Sequence, residues 1–313
     1  MRDSRKSRNG YSSLKGDEIM RRSMLFLPGN NPNMLINAGY LGADAVIFDL
    51  EDAVSPTEKD AARILIRNTI HYMDFENQEL IVRINSIDTD FYKADLDAIL
   101  PERPDIILLP KAGLPQDILT VEEYITKLEE KLGLEVGSTG IMALIETALG
   151  VENAYAIASC SKRVKALLLG AEDLTADLQC ARTKEGKEIE YSRSRVVVAA
   201  RAAGIEVYDT PFTDVNDDEG IVSDTSFAKS LGFSGKASIS PRHIEVINNI
   251  FSPTQSEIDY SYEVIDAINL AKQQGKGAIA LRGKMIDAPI VARAERIVAM
   301  AEMLGRSRSD ANE

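Results

Sequence analysis

Two carboxylates one βα unit apart, Glu146 and Asp173, are the sharpest chemical pair in this sequence. Each follows a short apolar run, at 141–145 and 166–169. If those runs are neighbouring parallel strands, both acids emerge at the same end, on strands about 4.8 Å apart. Alternation along the first run puts Met142, Leu144 and Glu146 on one face. Two carboxylates converging there repel unless a cation lies between them. Oxygen-only ligation suits Mg2+, with Mn2+ as a substitute, and leaves positions for water or substrate oxygens. The alternative is that each acid caps the following helix or pairs with an Arg or Lys, and spacing alone does not choose.

Arg83 sits inside the apolar run Leu80-Ile81-Val82-Arg83-Ile84. A buried guanidinium needs a planar anionic partner. It therefore either clamps a substrate carboxylate or pairs with Asp49, Glu51 or Asp52. Those three acids end the run at 45–50, as outer acids around a metal site or as helix-entry residues ahead of Ser55. Lys111 and Lys236 follow or occupy other runs, and each is a candidate Schiff-base lysine or anion binder. His243, after Ser240-Pro241-Arg242, reads as a surface or capping residue, and Cys160 and Cys180 as ordinary helix and loop residues. With two His, two Cys, and no HExxH, GxSxG, GxGxxG or GxxxxGK[ST] pattern, a metal site must be built from carboxylates.

The elements that must position these residues are legible. Apolar runs at 24–27, 45–50, 80–84, 106–109, 141–145, 166–169, 205–208 and 236–239 are continuous or nearly so, as in strands buried on both faces. Helical patterns separate them. Ser55-Pro56-Thr57-Glu58 predicts a capping box, and Val121, Tyr124, Ile125, Leu128 and Leu132 form a helical stripe. Eight βα units without a dinucleotide fingerprint predict a TIM (β/α)8 barrel, residues 20–252, rather than an open doubly wound sheet. Helices near 243–251, 255–274 and 288–304 exceed the barrel's need, so 253–313 reads as a C-terminal helical extension. Residues 1–19 and 306–313 are polar and aperiodic, and are expected to lack structure.

The 313 residues are 44% hydrophobic and 27% charged, enough to bury a core. A net charge of -13 argues against nucleic acid as a partner. Two distant cysteines, no membrane-length apolar run and no secretory apolar segment predict a soluble, cytoplasmic protein.

Seven motifs, in order, resemble the citrate lyase beta subunit family over residues 20–304. They include Arg21-Arg22-Ser23-Met24-Leu25-Phe26-Leu27-Pro28-Gly29-Asn30, Phe48-Asp49-Leu50-Glu51-Asp52, Val82-Arg83-Ile84-Asn85, Leu109-Pro110-Lys111, Ile145-Glu146-Thr147, Gly170-Ala171-Glu172-Asp173 and Gly283-Lys284-Met285-Ile286-Asp287. The resemblance implies a TIM barrel and Mg2+-dependent carbon–carbon cleavage of a 3-hydroxyacyl thioester, carried by coenzyme A or an acyl carrier protein. It implies that Glu146 and Asp173 hold the metal, that Arg83 binds the keto-acid part, and that Asp287 reaches a neighbouring subunit's site. Asp287 becomes the candidate proton-transfer group, with Arg22 and Lys111 as contacts for the thioester arm. A citryl thioester is the favoured substrate over malyl- or citramalyl-coenzyme A. A homotrimer or larger assembly is expected, within a lyase complex carrying transferase and carrier subunits. The rival readings are a Schiff-base aldolase, a thioester hydrolase on the same scaffold, and a non-catalytic scaffold subunit.

Overall fold

A computed structural model describes residues 20–309, apart from 76–77, 274 and 276–277. Segment 1–19, expected to lack structure, lies outside the described residues. The chain divides into two compact units, Met1–Asn248 and Asn249–Glu313.

In the first unit, eight strands close a barrel in chain order: β1 (Ser23–Pro28), β2 (Ala45–Asp49), β3 (Glu79–Arg83), β4 (Ile106–Leu109), β5 (Gly140–Ile145), β6 (Val164–Leu169), β7 (Glu206–Asp209) and β8 (Gly235–Ser238). Every neighbouring pair is parallel, and β8 returns to β1 with Met24 opposite Ala237. The expected (β/α)8 architecture is present. Each strand lies within two residues of an apolar run, because runs rich in Ile, Leu and Val can bury both faces only between a barrel interior and its helices. Ile47, Ile81, Leu108, Met142, Leu144 and Leu168 are among the residues filling the interior. Closure depends on Gly235, where a Cβ would lie 2.1 Å from the Arg21 carbonyl oxygen. The N-terminal end is plugged by Arg21, which forks onto Glu79 and donates to Tyr208 Oη at 3.2 Å.

The helix Pro115–Leu132 shows how the outer layer is specified. Proline opens it, and Asp117 accepts from the backbone N–H groups of Gly113 and Leu114, both at 2.9 Å. Ile118, Val121, Ile125 and Leu128, at spacings of three and four, form its buried face. Leu132 of the expected stripe is exposed. The capping box at Ser55 does not form. Pro56–Glu58 is a 3-10 turn, and the Ser55 hydroxyl bonds the Glu58 side chain instead of a backbone N–H, so the α-helix starts later, as Lys59–Tyr72.

In the second unit the helices Gln255–Gln273 and Ala288–Met303 share a core of Val264, Ile268, Ala271, Ile286, Val291 and Ala294. The stretch before Asp287, for which the sequence predicts no element, is an antiparallel hairpin of β9 (Ile279–Leu281) and β10 (Lys284–Ile286). Three-residue strands are too short to leave a periodic signal. Residues 306–309, expected to be without structure, are tied down within this unit. The Arg306 N–H donates to Ala301 O at 2.8 Å, and Ser309 N–H donates to Asp259 Oδ1 at 2.9 Å. Among the described residues, no helix is long and apolar enough to cross a membrane.

Candidate active site

The C-terminal ends of β2 to β6 deliver charge to one mouth, the end at which barrels of this kind do chemistry. Glu146 follows β5 on the face of Met142 and Leu144, both in the barrel interior. It is 3% exposed, and its Oε1 accepts the Lys111 backbone N–H at 2.7 Å. Its neighbour on β6 must be Gly170, because a Cβ there would lie 2.7 Å from Glu146 Oε2. Asp173 lies one turn further, in the first turn of the helix Ala171–Asp177, with about 42% of its side chain exposed.

Burial, and then the negative charge of Glu51, push the Glu146 carboxyl up to about 8, with Asp173 adding to the rise. Burial likewise lifts Glu51 to about 7; Arg83 opposes this and Asp52 reinforces it. These acids are crowded and under-neutralised. Asp49, Glu51, Asp52, Glu146 and Asp173 share three cations among the described residues: Arg83, Lys111 and, through its charge, Lys59.

Arg83 is committed to the acids proposed as its alternative partners. Its Nε and Nη2 fork onto Asp49, both at 2.7 Å, and it lies over the Phe26 ring. Asp49 is itself fixed by the N–H groups of Glu51 and Ala53. The remaining Nη1 stands 3.3 Å from the half-exposed Asp52 and 2.9 Å from Glu51 Oε2. That Glu51 oxygen is buried, and its contact with Nη1 is an ion pair without hydrogen-bond geometry. Burial alone would lower the Arg83 pKa, but its hydrogen bonds and charge contact with Asp49, then Glu51 and Asp52, raise it. Lys59, unremarked in the sequence, holds the chain beneath Glu51 by donating to the Leu50 and Glu51 carbonyls at 2.6 and 2.7 Å. A lysine eight residues after an acidic strand end was the available signal.

Lys111 joins three of the acids. Its ammonium lies 3.2 Å from Glu51 Oε1 and 3.8 Å from Asp173 Oδ2. Its backbone is left-handed at φ 54° and turns the N–H onto Glu146. That second role has no sequence signature.

Three residues of the first unit lie away from where the sequence places them. Arg22 precedes β1, at the N-terminal end of the barrel opposite the mouth, and forks onto Asp44 at 2.8 Å. Lys236 points out of the barrel, on the strand face opposite Ala237, and is 0% exposed; it is bonded to Asp209 and the Thr210 carbonyl, so it is no free Schiff-base amine. His243 is buried beside Phe212 rather than on the surface. Asp287 caps the helix Ala288–Met303 in the second unit, accepting from Ile290 N–H.

The donor set at the mouth fits a hard divalent ion. Among the described residues, no three His, Cys, Asp or Glu side chains form an all-protein metal cage. Mg2+ does not require one, since it is commonly held by one or two carboxylates with water and substrate oxygens. The crowded acids, with a Glu51 oxygen that makes no hydrogen bond of good geometry, are the polar surplus that such an ion and its waters would satisfy.

The HpcH/HpaI aldolase/citrate lyase family profile matches residues 22–241. The chain belongs to this family. Within it, the citrate lyase subunit beta of Leuconostoc mesenteroides subsp. cremoris is 46% identical over 285 residues, covering 91% of this chain and 94% of that protein. Among solved structures, Mycobacterium tuberculosis CitE in complex with magnesium, acetoacetate and coenzyme A is 29% identical. It covers 92% of this chain and 100% of that one, with a TM-score of 0.74. The citrate lyase beta subunit complexed with oxaloacetate and magnesium from M. tuberculosis is 30% identical, covering 75% and 98%, with a TM-score of 0.63.

Proposed function

We propose that this chain is a carbon–carbon lyase that cleaves a citryl thioester to oxaloacetate and an acetyl thioester, using Mg2+ held by Glu146 and Asp173. The observation that carries the reading is the surplus of carboxylates at the mouth, five acids against Arg83, Lys111 and Lys59, in a chain of this family. The magnesium and oxaloacetate named for the M. tuberculosis relative support a Mg2+ site and an oxaloacetate product here.

Bound Mg2+ supplies Lewis acidity to the substrate's tertiary hydroxyl and to the ketone that replaces it. The chain's residues do the rest. The Lys111 N–H holds Glu146 in register, and Gly170 leaves the room for it. Asp49 pre-orients the Arg83 plane, leaving Nη1 for a carboxylate of the oxaloacetate part, which displaces the half-exposed Asp52. The hydroxyl loses its proton to Glu51, beside Arg83 Nη1, as the carbon–carbon electrons pass to the acetyl carbon. That carbon then takes up a proton. Asp287 is assigned to this second transfer, donated by a neighbouring subunit of a homotrimer or larger ring, as the family resemblance implies. The thioester arm is carried by coenzyme A or by the carrier subunit of a citrate lyase complex.

The test is incubation with citryl-coenzyme A and Mg2+. Stoichiometric oxaloacetate and acetyl-coenzyme A are expected. Citrate without oxaloacetate would make the protein a hydrolase, and neither product would overturn the assignment.

A further inference from the structure

The mouth has an internal cation in a telling position. Lys111 ends in a left-handed backbone conformation, φ 54°, which side-chain-bearing residues adopt uncommonly. This turn aims its N–H at Glu146 Oε1 and sends its side chain across the mouth to Glu51 and Asp173, at 3.2 and 3.8 Å. One residue thus touches both carboxylates of the proposed Mg2+ site and the acid beside them. Its side chain is about 41% exposed, and it borders a groove of about 410 Å³ whose lining includes Asp88, Asp117 and Asp177.

We infer that Lys111 is a resident stand-in for the divalent ion: its ammonium holds Asp173 to Glu51, and Mg2+ binding requires that ammonium to leave Asp173 for the acidic groove. The inference rests on the Mg2+ reading above. An ammonium and Mg2+ drawn to the same carboxylate repel strongly at such separations, so the two compete for Asp173. The residue type suits an exchange. Lysine is a point charge on a flexible four-carbon stem and is not locked by a planar fork, whereas Arg83 beside it is fixed bidentately by Asp49. The groove supplies alternative carboxylates at the same residue's edge, so the displaced ammonium remains neutralised. Lys111 in this role positions acids; it opposes Mg2+ binding while keeping the acids together before the ion arrives.

The test is calorimetric titration of the EDTA-treated full chain with MgCl2, comparing wild type with Lys111→Met and Lys111→Gly. Both variants keep the N–H that binds Glu146, and the glycine also relieves the left-handed backbone. Both should bind Mg2+ roughly threefold or more tightly, since no ammonium need be displaced. Unchanged or weaker binding in the variants, with normal binding by wild type, would overturn the exchange alone. No Mg2+ binding by the wild type would overturn it together with the proposed metal site.

Discussion

Two clusters of charge, one buried outside the barrel and one partly exposed at its mouth, differ in a way that separates structure from function. Outside the barrel, Arg193, Asp209, Asp224 and Lys236 lie between β7, β8 and two covering helices, each 6% exposed or less. Arg193 forks onto Asp209 at 2.9 and 3.0 Å and reaches Asp224 at 2.6 Å, while Lys236 lies 2.6 Å from each acid. Two cations meet two anions. At the mouth, five acids meet three cations, Arg83, Lys111 and Lys59. A buried cluster is tolerable when its charges cancel, so the outer one is complete within the chain. The mouth cluster is incomplete, and burial, reinforced by neighbouring acids, raises the Glu146 and Glu51 carboxyls. Completing it is the task of a ligand.

The largest effect should come from removing either proposed metal ligand. Glu146→Gln and Asp173→Asn should each lower kcat/KM for citryl-coenzyme A by roughly a hundredfold or more. Melting temperature should hold or rise, because a crowded acid is replaced by a neutral isostere. A large drop in melting temperature would place these acids with the outer cluster instead.

The outer cluster should respond the other way. Arg193→Met leaves two buried carboxylates sharing Lys236 as their one remaining cation in this cluster and should cost about 3–5 kcal/mol in denaturant unfolding. The folded fraction should retain wild-type kcat, and a specific loss of kcat would erase the contrast between the clusters.

Arg83 tests the boundary between the two behaviours, because it is both structurally paired and turned toward the mouth. Arg83→Lys loses the fork onto Asp49, and kcat/KM should fall roughly tenfold or more while Mg2+ affinity barely changes. Equal activity for the variant and wild type would make Arg83 a partner of Asp49 alone.

A smaller effect is the pH dependence of Mg2+ binding. The Glu146 pKa is raised on folding, so without metal its contribution to stability is present at low pH and is lost as pH rises through about 8. Mg2+ binds the ionised form and displaces that proton. Apparent Mg2+ affinity should therefore climb between pH 6 and 8, with proton release in calorimetry. A flat profile would mean that Glu146 is not the titrating ligand.

Much of this contrast was legible in the sequence, and the reasons it was not complete are physical. The barrel showed because strands buried on both faces must be continuous apolar runs, and Glu146 and Asp173 showed because one βα unit fixes their common end. The partners of Arg83 did not show, since three acids at 49, 51 and 52 all lie within reach of one side chain and only geometry apportions its donors. Lys236 was misread as a mouth residue although alternation with Ala237 already turns it outward. Its partner Asp209 is its register neighbour on β7. The backbone role of Lys111 was invisible because a left-handed non-glycine residue has no compositional mark. The β9–β10 hairpin was missed because three residues carry no period.

The most direct measurement is a crystal soaked in MnCl2 and examined for anomalous scattering. A Mn2+ peak coordinated by the carboxylates of Glu146 and Asp173, with water completing its shell, is the result this account predicts. A peak bound elsewhere, or fully occupied Mn2+ that touches neither residue, would contradict it.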